Sequence, residues 1–304
     1  MAAPGSTPAT GDRERVTETL AAAAVEALAA TLDIEPPTDG TVPPLWHWLH
    51  LLSRRPQREL GPDGHPTSGV PAPPGPGRRR MVAGGRVVTH RLLRLGEEAT
   101  RRTWVAASRE KHGRSGPLTF VTVRTEIGQA GRLAVAEEQD IVYRAPGGTL
   151  PRAEEPRPKT PERRRPAATM ERSDPAAEEP RPRTREPSLE LDVTETLLFR
   201  FSALTFNAHR IHYDLDWVRE EGYEGLVVHG PLQALLMGDL ARRHGISLVR
   251  REFGYRLVSP MVGPQRLRVQ AGEDGLEAGA ETRSEAGVLT AVSTVSDSGR
   301  GPRS

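Results

Sequence analysis

The chain has 304 residues and no cysteine. Disulfides, thiolate metal sites and a cysteine nucleophile are therefore excluded, and a reducing, cytoplasmic location is the expectation that fits. No run of about 18 apolar residues occurs, so no membrane-spanning helix and no membrane partner are expected. The opening stretch, MAAPGSTPATGDRERV, lacks a basic segment followed by an apolar one, so no secretory signal is expected there. An excess of one charge is also missing, with 42 Lys and Arg against 40 Asp and Glu. No basic stripe with interleaved aromatics is present, and nucleic-acid binding is not expected.

What is abundant is proline, at 28 residues, and glycine, at 30, while hydrophobic residues make up only 36%. Such averages arise when packed and unpacked segments are pooled. Residues 1–11 are small and polar and read as a loose tail. Residues 145–188 hold ten prolines and charges of both signs, and no aromatic lies between Tyr143 and Phe199. Ordering such a segment costs more conformational entropy than its apolar area offsets, so it reads as a disordered linker. The chain thus divides into a first domain, 12–144, and a second, 189–298.

In the first domain Val16, Leu20, Val25, Leu28 and Leu32 recur at helical spacing before Pro36 and Pro37, predicting one helix from Asp12. Leu45, Trp46, Trp48 and Leu49 predict a second, short helix, with the tryptophans as core. Residues 55–80 read as loop. Strands are predicted at Arg86–Leu95, Thr103–Lys111, Leu118–Ile127 and Leu133–Tyr143, giving an α+β unit with an antiparallel sheet. In the second domain Leu197–Ala203 reads as a strand, Asp216–Glu221 as a short helix and Pro231–His244 as a buried helix stopped by Gly245. Further strands are predicted at Glu252–Leu257, Gln265–Ala271, Leu276–Arg283 and Val288–Val295.

One segment carries chemistry. Residues 199–231, FRFSALTFNAHRIHYDLDWVREEGYEGLVVHGP, gather three histidines, an asparagine and two aspartates before what looks like a helix start. Asp214 and Asp216 read as caps of the short helix that follows. His209, His212, Asp214 and His229 could be drawn as a zinc set, but their spacing matches no closed structural site and no metal is expected.

FRFSALTFNAHRIHYD (199–214) and EGLVVHGPLQALL (224–236) resemble the MaoC-like hydratase/dehydratase family. GRSGPLTFVTV (113–123) and EEQDIVYR (137–144) resemble the first domain of its two-domain branch, which includes mesaconyl-CoA and itaconyl-CoA hydratases and type 2 3-hydroxyacyl-thioester dehydratases. The resemblance implies a double hot dog, two antiparallel sheets each wrapped round a long helix. It also implies an acyl-CoA or acyl-carrier-protein thioester as substrate and no cofactor; the first half shows no equivalent of Asn207 and His212 near its own helix, so one active site per chain is expected, with the first domain as a non-catalytic cradle. A homodimer is compatible with it.

Laid on the Asp-x-Asn-Pro-x-His loop of the single-domain hydratases, His212 matches the histidine, while Asn207 replaces the aspartate, His209 the asparagine and Arg210 the proline. Interconverting a 2-enoyl and a 3-hydroxyacyl thioester needs a base for water, an acid for C2 and donors for the enolate-like oxygen. His212 is the candidate base or acid. Asn207 orients water, since an amide cannot act as a base. The Gly230 N–H at the helix start is the candidate oxyanion donor, with His229 shaping that turn. His209 is expected to bond the loop or the substrate, and Arg256 to contact phosphate. The run Arg78–Arg80 reads as a solvated face or a second phosphate contact. Two other readings are a hot-dog thioesterase, for which Glu224 is the nearby carboxylate, and a non-catalytic acyl-thioester binding protein, which the asparagine at 207 favours.

Overall fold

A computed structural model describes residues 13–71, 79–113, 116–144 and 187–298. The tail 1–11 and residues 145–186 of the expected linker lie outside the described residues.

The first half runs β1 (Glu14–Thr19), α1 (Ala22–Thr31), β2 (Thr41–Val42), a 3-10 turn (Trp46–Leu49), β3 (Arg79–Thr89), β4 (Leu93–Arg94), β5 (Glu98–Gly113), β6 (Gly116–Gln129) and β7 (Arg132–Arg144). The second runs β8 (Ser188–Val193), α2 (Glu195–Leu204), a 3-10 turn (Arg210–His212), α3 (Leu215–Glu220), β9 (Leu226–Val227) and α4 (Gly230–Arg243). It ends with β10 (Arg251–Leu257), β11 (Val262–Gly263), β12 (Gln265–Ala271), β13 (Ala280–Arg283) and β14 (Leu289–Asp297). Among the described residues no helix is long and apolar enough to cross a membrane.

One ten-stranded antiparallel sheet has the order β1-β5-β6-β7-β3-β10-β14-β13-β12-β8. Read inward from each edge, the two halves repeat the same chain order. They meet where β3 pairs with β10, from Glu252 opposite Val88 to Arg256 opposite Gly84. This mirrored arrangement is the double hot dog implied by the sequence.

The interior is less symmetric than the sheet. α4 buries every residue from Leu232 to Ala241 and packs on β10, β12, β13 and β14. Gly230 and Pro231 start it without a side-chain cap. Its end is a Schellman turn, with Ile246 N donating to Ala241 O at 3.0 Å and Gly245 at φ +77°. Two polar groups are carried into the core with partners. Gln233 Oε1 accepts from Thr282 and Thr290, and Asp239 Oδ1 accepts from Trp46 Nε1 at 3.2 Å. At the corresponding place in the first half, among the described residues, stand only two 3-10 turns, one at Gln57–Glu59 and the one behind Pro43 and Pro44. Leu45 there adopts φ +73° and packs its side chain against Gly238 of α4. Among the described residues α4, at 14 residues, is the longest helix, while α1 packs on α2.

Three expectations for secondary structure are corrected. The helix drawn from Asp12 is a strand, β1, followed by a shorter helix. β-branched Val16, Thr17 and Thr19 pair with β5, and Gly96 N bonds Leu20 O at the bend. Leu197–Ala203 is helical. Thr194 Oγ1 accepts from Leu197 N at 3.2 Å, Glu195 sits in the first turn, and Leu197, Leu198, Phe201 and Ser202 form the buried stripe. The short helix at 45–49 is a 3-10 turn. Trp46 is fully buried, as expected of a core aromatic.

Candidate active site

The segment after α2 cannot continue the helix. Asn207 N bonds Ser202 O at 2.9 Å, Phe206 takes φ +50°, and Asn207 Oδ1 accepts from His209 N at 3.0 Å. This Asx turn throws His209 out of the helical path and starts the 3-10 turn that aims His212 inward. Arg210, at the proline position of the related loop, fastens the loop down. Its guanidinium pairs with Asp214 Oδ2 at 2.6 Å, lies 4.4 Å from the Trp217 ring and donates to Pro62 O at 3.0 Å. Asp214 also caps α3 through Asp216 N and Trp217 N, as expected, whereas Asp216 is exposed and pairs with Arg219 at 3.0 Å.

His212 is buried. Its Nδ1 lies 2.7 Å from Val227 O, a bond only an N–H can make, so the proton sits on Nδ1 and Nε2 carries the lone pair. Nε2 has no hydrogen-bond partner among the described residues. The ring stacks on His229, with centroids 3.6 Å apart and planes 17° from parallel. His229 in turn shares a 2.8 Å hydrogen bond between Nε2 and Ser202 Oγ, while its buried Nδ1 has no partner. Burial, opposed by the Val227 bond, brings the His212 pKa down to about 4. Burial also brings His209 to about 2, helped by the charges of His65 and His212. His229 is lowered well below its ordinary value, again chiefly by burial. All three rings are therefore neutral at pH 7.

His229 is the residue before Gly230, so the stacked pair stands at the amino end of α4. Pro231 has no N–H, and the Gly230 N–H meets no helical partner. A methyl group on Gly230 would overlap the side chain of Leu257 on β10. His209, His212, His229, Asn207 and Gly230 are thus brought together. Arg256 is not. Phe253 and Tyr255 are buried and Leu257 faces Gly230, so alternation turns Arg256 to the other face of the sheet, where it is exposed. Of the arginine run, Arg79 pairs with Glu221 at 2.9 Å, tying β3 to the end of α3, and Arg80 is part-buried. Glu224 is exposed. A cavity of about 740 Å³ between α1, β8, α2 and the last turns of α4 touches none of these residues, nor does one of about 210 Å³ beside Pro43.

The first half adds what the sequence reading missed. The loop GPDGHPT (61–67) docks on the histidine loop. Arg210 N donates to Asp63 O at 2.9 Å, and Gly64, at φ +86°, lies so close to the Ala208 carbonyl that a methyl group would overlap it. His65 packs its ring 4.0 Å from that of His209, and Asp63 holds His65 Nδ1 at 3.0 Å. Asp63, His65 and His209 can each bring a ligand atom within 4.8 Å of the others, a set different from the zinc set drawn on sequence, whose Asp214 is engaged by Arg210.

Comparison with known proteins agrees with this architecture. Residues 45–263 match the model of the family "hydroxyacyl-thioester dehydratase type 2". The chain is 42% identical over 281 residues to a mesaconyl-C(4)-CoA hydratase of Chloroflexus aurantiacus, covering 88% of this chain and 90% of that protein. Among solved structures, HtdX of Mycobacterium tuberculosis superposes with a TM-score of 0.59 at 15% identity, over 93% of this chain and 99% of the other. A second M. tuberculosis protein, described as having a double hotdog fold, gives 0.51 at 16% identity over 95% and 96%. The chain belongs to the hydroxyacyl-thioester dehydratase type 2 family, within the MaoC-like hot-dog hydro-lyases.

Proposed function

We propose that this protein adds water reversibly across the double bond of a 2-enoyl-CoA, with a short, branched, carboxylated acyl group of the mesaconyl type. The observation that carries the reading is the tautomer of His212. Its Nδ1–H is committed to Val227 O, and its Nε2 is a neutral lone pair with no partner among the described residues, beside the amino end of α4. In hydration Nε2 takes a proton from water as the oxygen bonds to C3. The charge that develops on the thioester oxygen is met by the Gly230 N–H. Asn207 shapes the loop through the His209 N–H and leaves its amide to orient water.

The acyl class rests on the 42% identity to a mesaconyl-C(4)-CoA hydratase over nearly the whole of both chains. A free carboxylate needs a cation, and Arg210 and Arg219 are already paired with Asp214 and Asp216. Arg80 makes no ion pair or hydrogen bond with another described residue, and its field reaches His209 and Asp63, so it is our candidate for that carboxylate. A thioesterase is disfavoured because Glu224 is exposed and no acid stands on the first turn of α4.

The test is His212→Ala in the full chain, with mesaconyl-C4-CoA and crotonyl-CoA, following loss of the enoyl absorbance. Turnover should drop by about 10³-fold or more with the fold retained. A variant that keeps its rate, or an unaltered chain that binds the thioester without hydrating it, removes the assignment.

A further inference from the structure

Hydration needs an acid as well as a base, and among the described residues the histidine loop of the second half offers no free carboxylate to support one. Asn207 holds the aspartate position of the related loop, and Asp214 is taken up by Arg210 and by the cap of α3. Among the described residues, the carboxylate that hydrogen-bonds a histidine beside His209 and His212 is Asp63, from the other half of the chain. Its two oxygens have separate tasks. Oδ1 accepts from His65 N at 3.0 Å, closing an Asx turn, and Oδ2 faces His65 Nδ1 at 3.0 Å. Burial alone would raise this carboxyl, but the His65 bonds and charge outweigh it and leave it at about 2, fully ionised. From His65 the rings run on to His209 at 4.0 Å and from there to His212 at 5.5 Å.

We propose that Asp63 and His65 are the first half's contribution to the active site. In this reading His65, oriented by Asp63, is the acid that protonates C2 while His212 takes the proton of water. The inference rests on the hydratase reading above. The step balances. The water oxygen forms the bond to C3 and its proton passes to His212 Nε2. The electron pair of the C2–C3 double bond takes a proton from His65 Nε2. His212 then gives its proton to solvent and His65 regains one from solvent, which closes the cycle. Asp63 touches no reacting atom and is a positioning residue. It fixes the ring through Nδ1 and sets a carboxylate beside it. A metal at Asp63, His65 and His209 is the competing use of the same side chains. Against it, both Asp63 oxygens already face N–H donors of His65.

The experiment uses the full chain with mesaconyl-C4-CoA and compares Asp63→Asn, His65→Gln and the double variant. Each single change should lower kcat by about 30-fold or more with KM within about threefold, and the double should be no slower than the worse single. Singles within about threefold of the unaltered kcat, or losses that multiply in the double, overturn the proposal. Activity abolished by a chelator and restored by zinc also overturns it, in favour of a metal. If Asp63→Asn unfolds, His65→Gln decides, because it leaves the Arg210 bonds to Asp63 O and Pro62 O in place. Failure of the hydratase reading is a separate result, seen as an unaltered chain that hydrates nothing.

Discussion

The His212 imidazole lies face to face with that of His229, 3.6 Å between centroids, and the hydrogen bond that fixes His229 comes from Ser202 on α2. Three elements that are separate in sequence therefore set the plane of one ring. Ser202→Ala removes the only polar tether of His229 among the described residues. The kcat should fall by about tenfold with little change in KM, because the base is displaced rather than lost. Steady-state kinetics beside His212→Ala checks this.

The neutral rings predict an acid-sensitive fold. Folded pKa values of about 4 for His212 and about 2 for His209, and a lowered one for His229, lie below the unfolded value of 6.5. Between pH 6.5 and about 4 the unfolded chain binds protons at these rings and the folded chain does not, so stability is lost as pH falls through that window. The melting temperature should drop by about 10 °C or more from pH 7.5 to 5. The hydration rate, by contrast, should hold on the acid side down to about pH 5, since His212 stays unprotonated.

Gly64 has both a positive φ and a carbonyl in the place of its missing side chain. Gly64→Ala should cost about 1–3 kcal/mol and loosen the loop 61–67 from 206–212. Urea denaturation measures the first effect. A fall in kcat larger than that of Ser202→Ala would report the second.

Gly230→Ala drives a methyl group into Leu257. The rate should fall by about 100-fold as the helix start shifts away from the substrate oxygen. Adding Leu257→Ala makes room and should recover about tenfold of it. Absence of recovery would mean that the glycine is needed for close approach of the ligand instead.

The parts of this site that were legible in the sequence are those built locally. His212, Asn207 and Gly230 belong to two short motifs, and the start and stop of α4 are written in Gly230-Pro231 and Gly245. α2 was misread because Leu197, Phe199 and Phe201 alternate like a strand, yet Phe199 is 64% exposed and the Thr194–Glu195 start was the better signal. The helix drawn from Asp12 failed for the opposite reason, since alternating Val16 and Thr17 pair along β5. Asp63 and His65 stayed hidden because their partners lie about 145 residues further on. Nothing in GPDGHPT states that contact, although an aspartate two residues before a histidine across a glycine is the pattern of an Asx turn able to hold a ring.

The docking of Gly64 onto Ala208 means that the path of the histidine loop is encoded twice. Residues 61–67 and 206–212 are one surface written at two addresses, so drift in either stretch is constrained by the other. Reshaping the histidine loop would therefore require paired changes in both stretches, and libraries that vary only the histidine-rich one would meet a fixed partner surface.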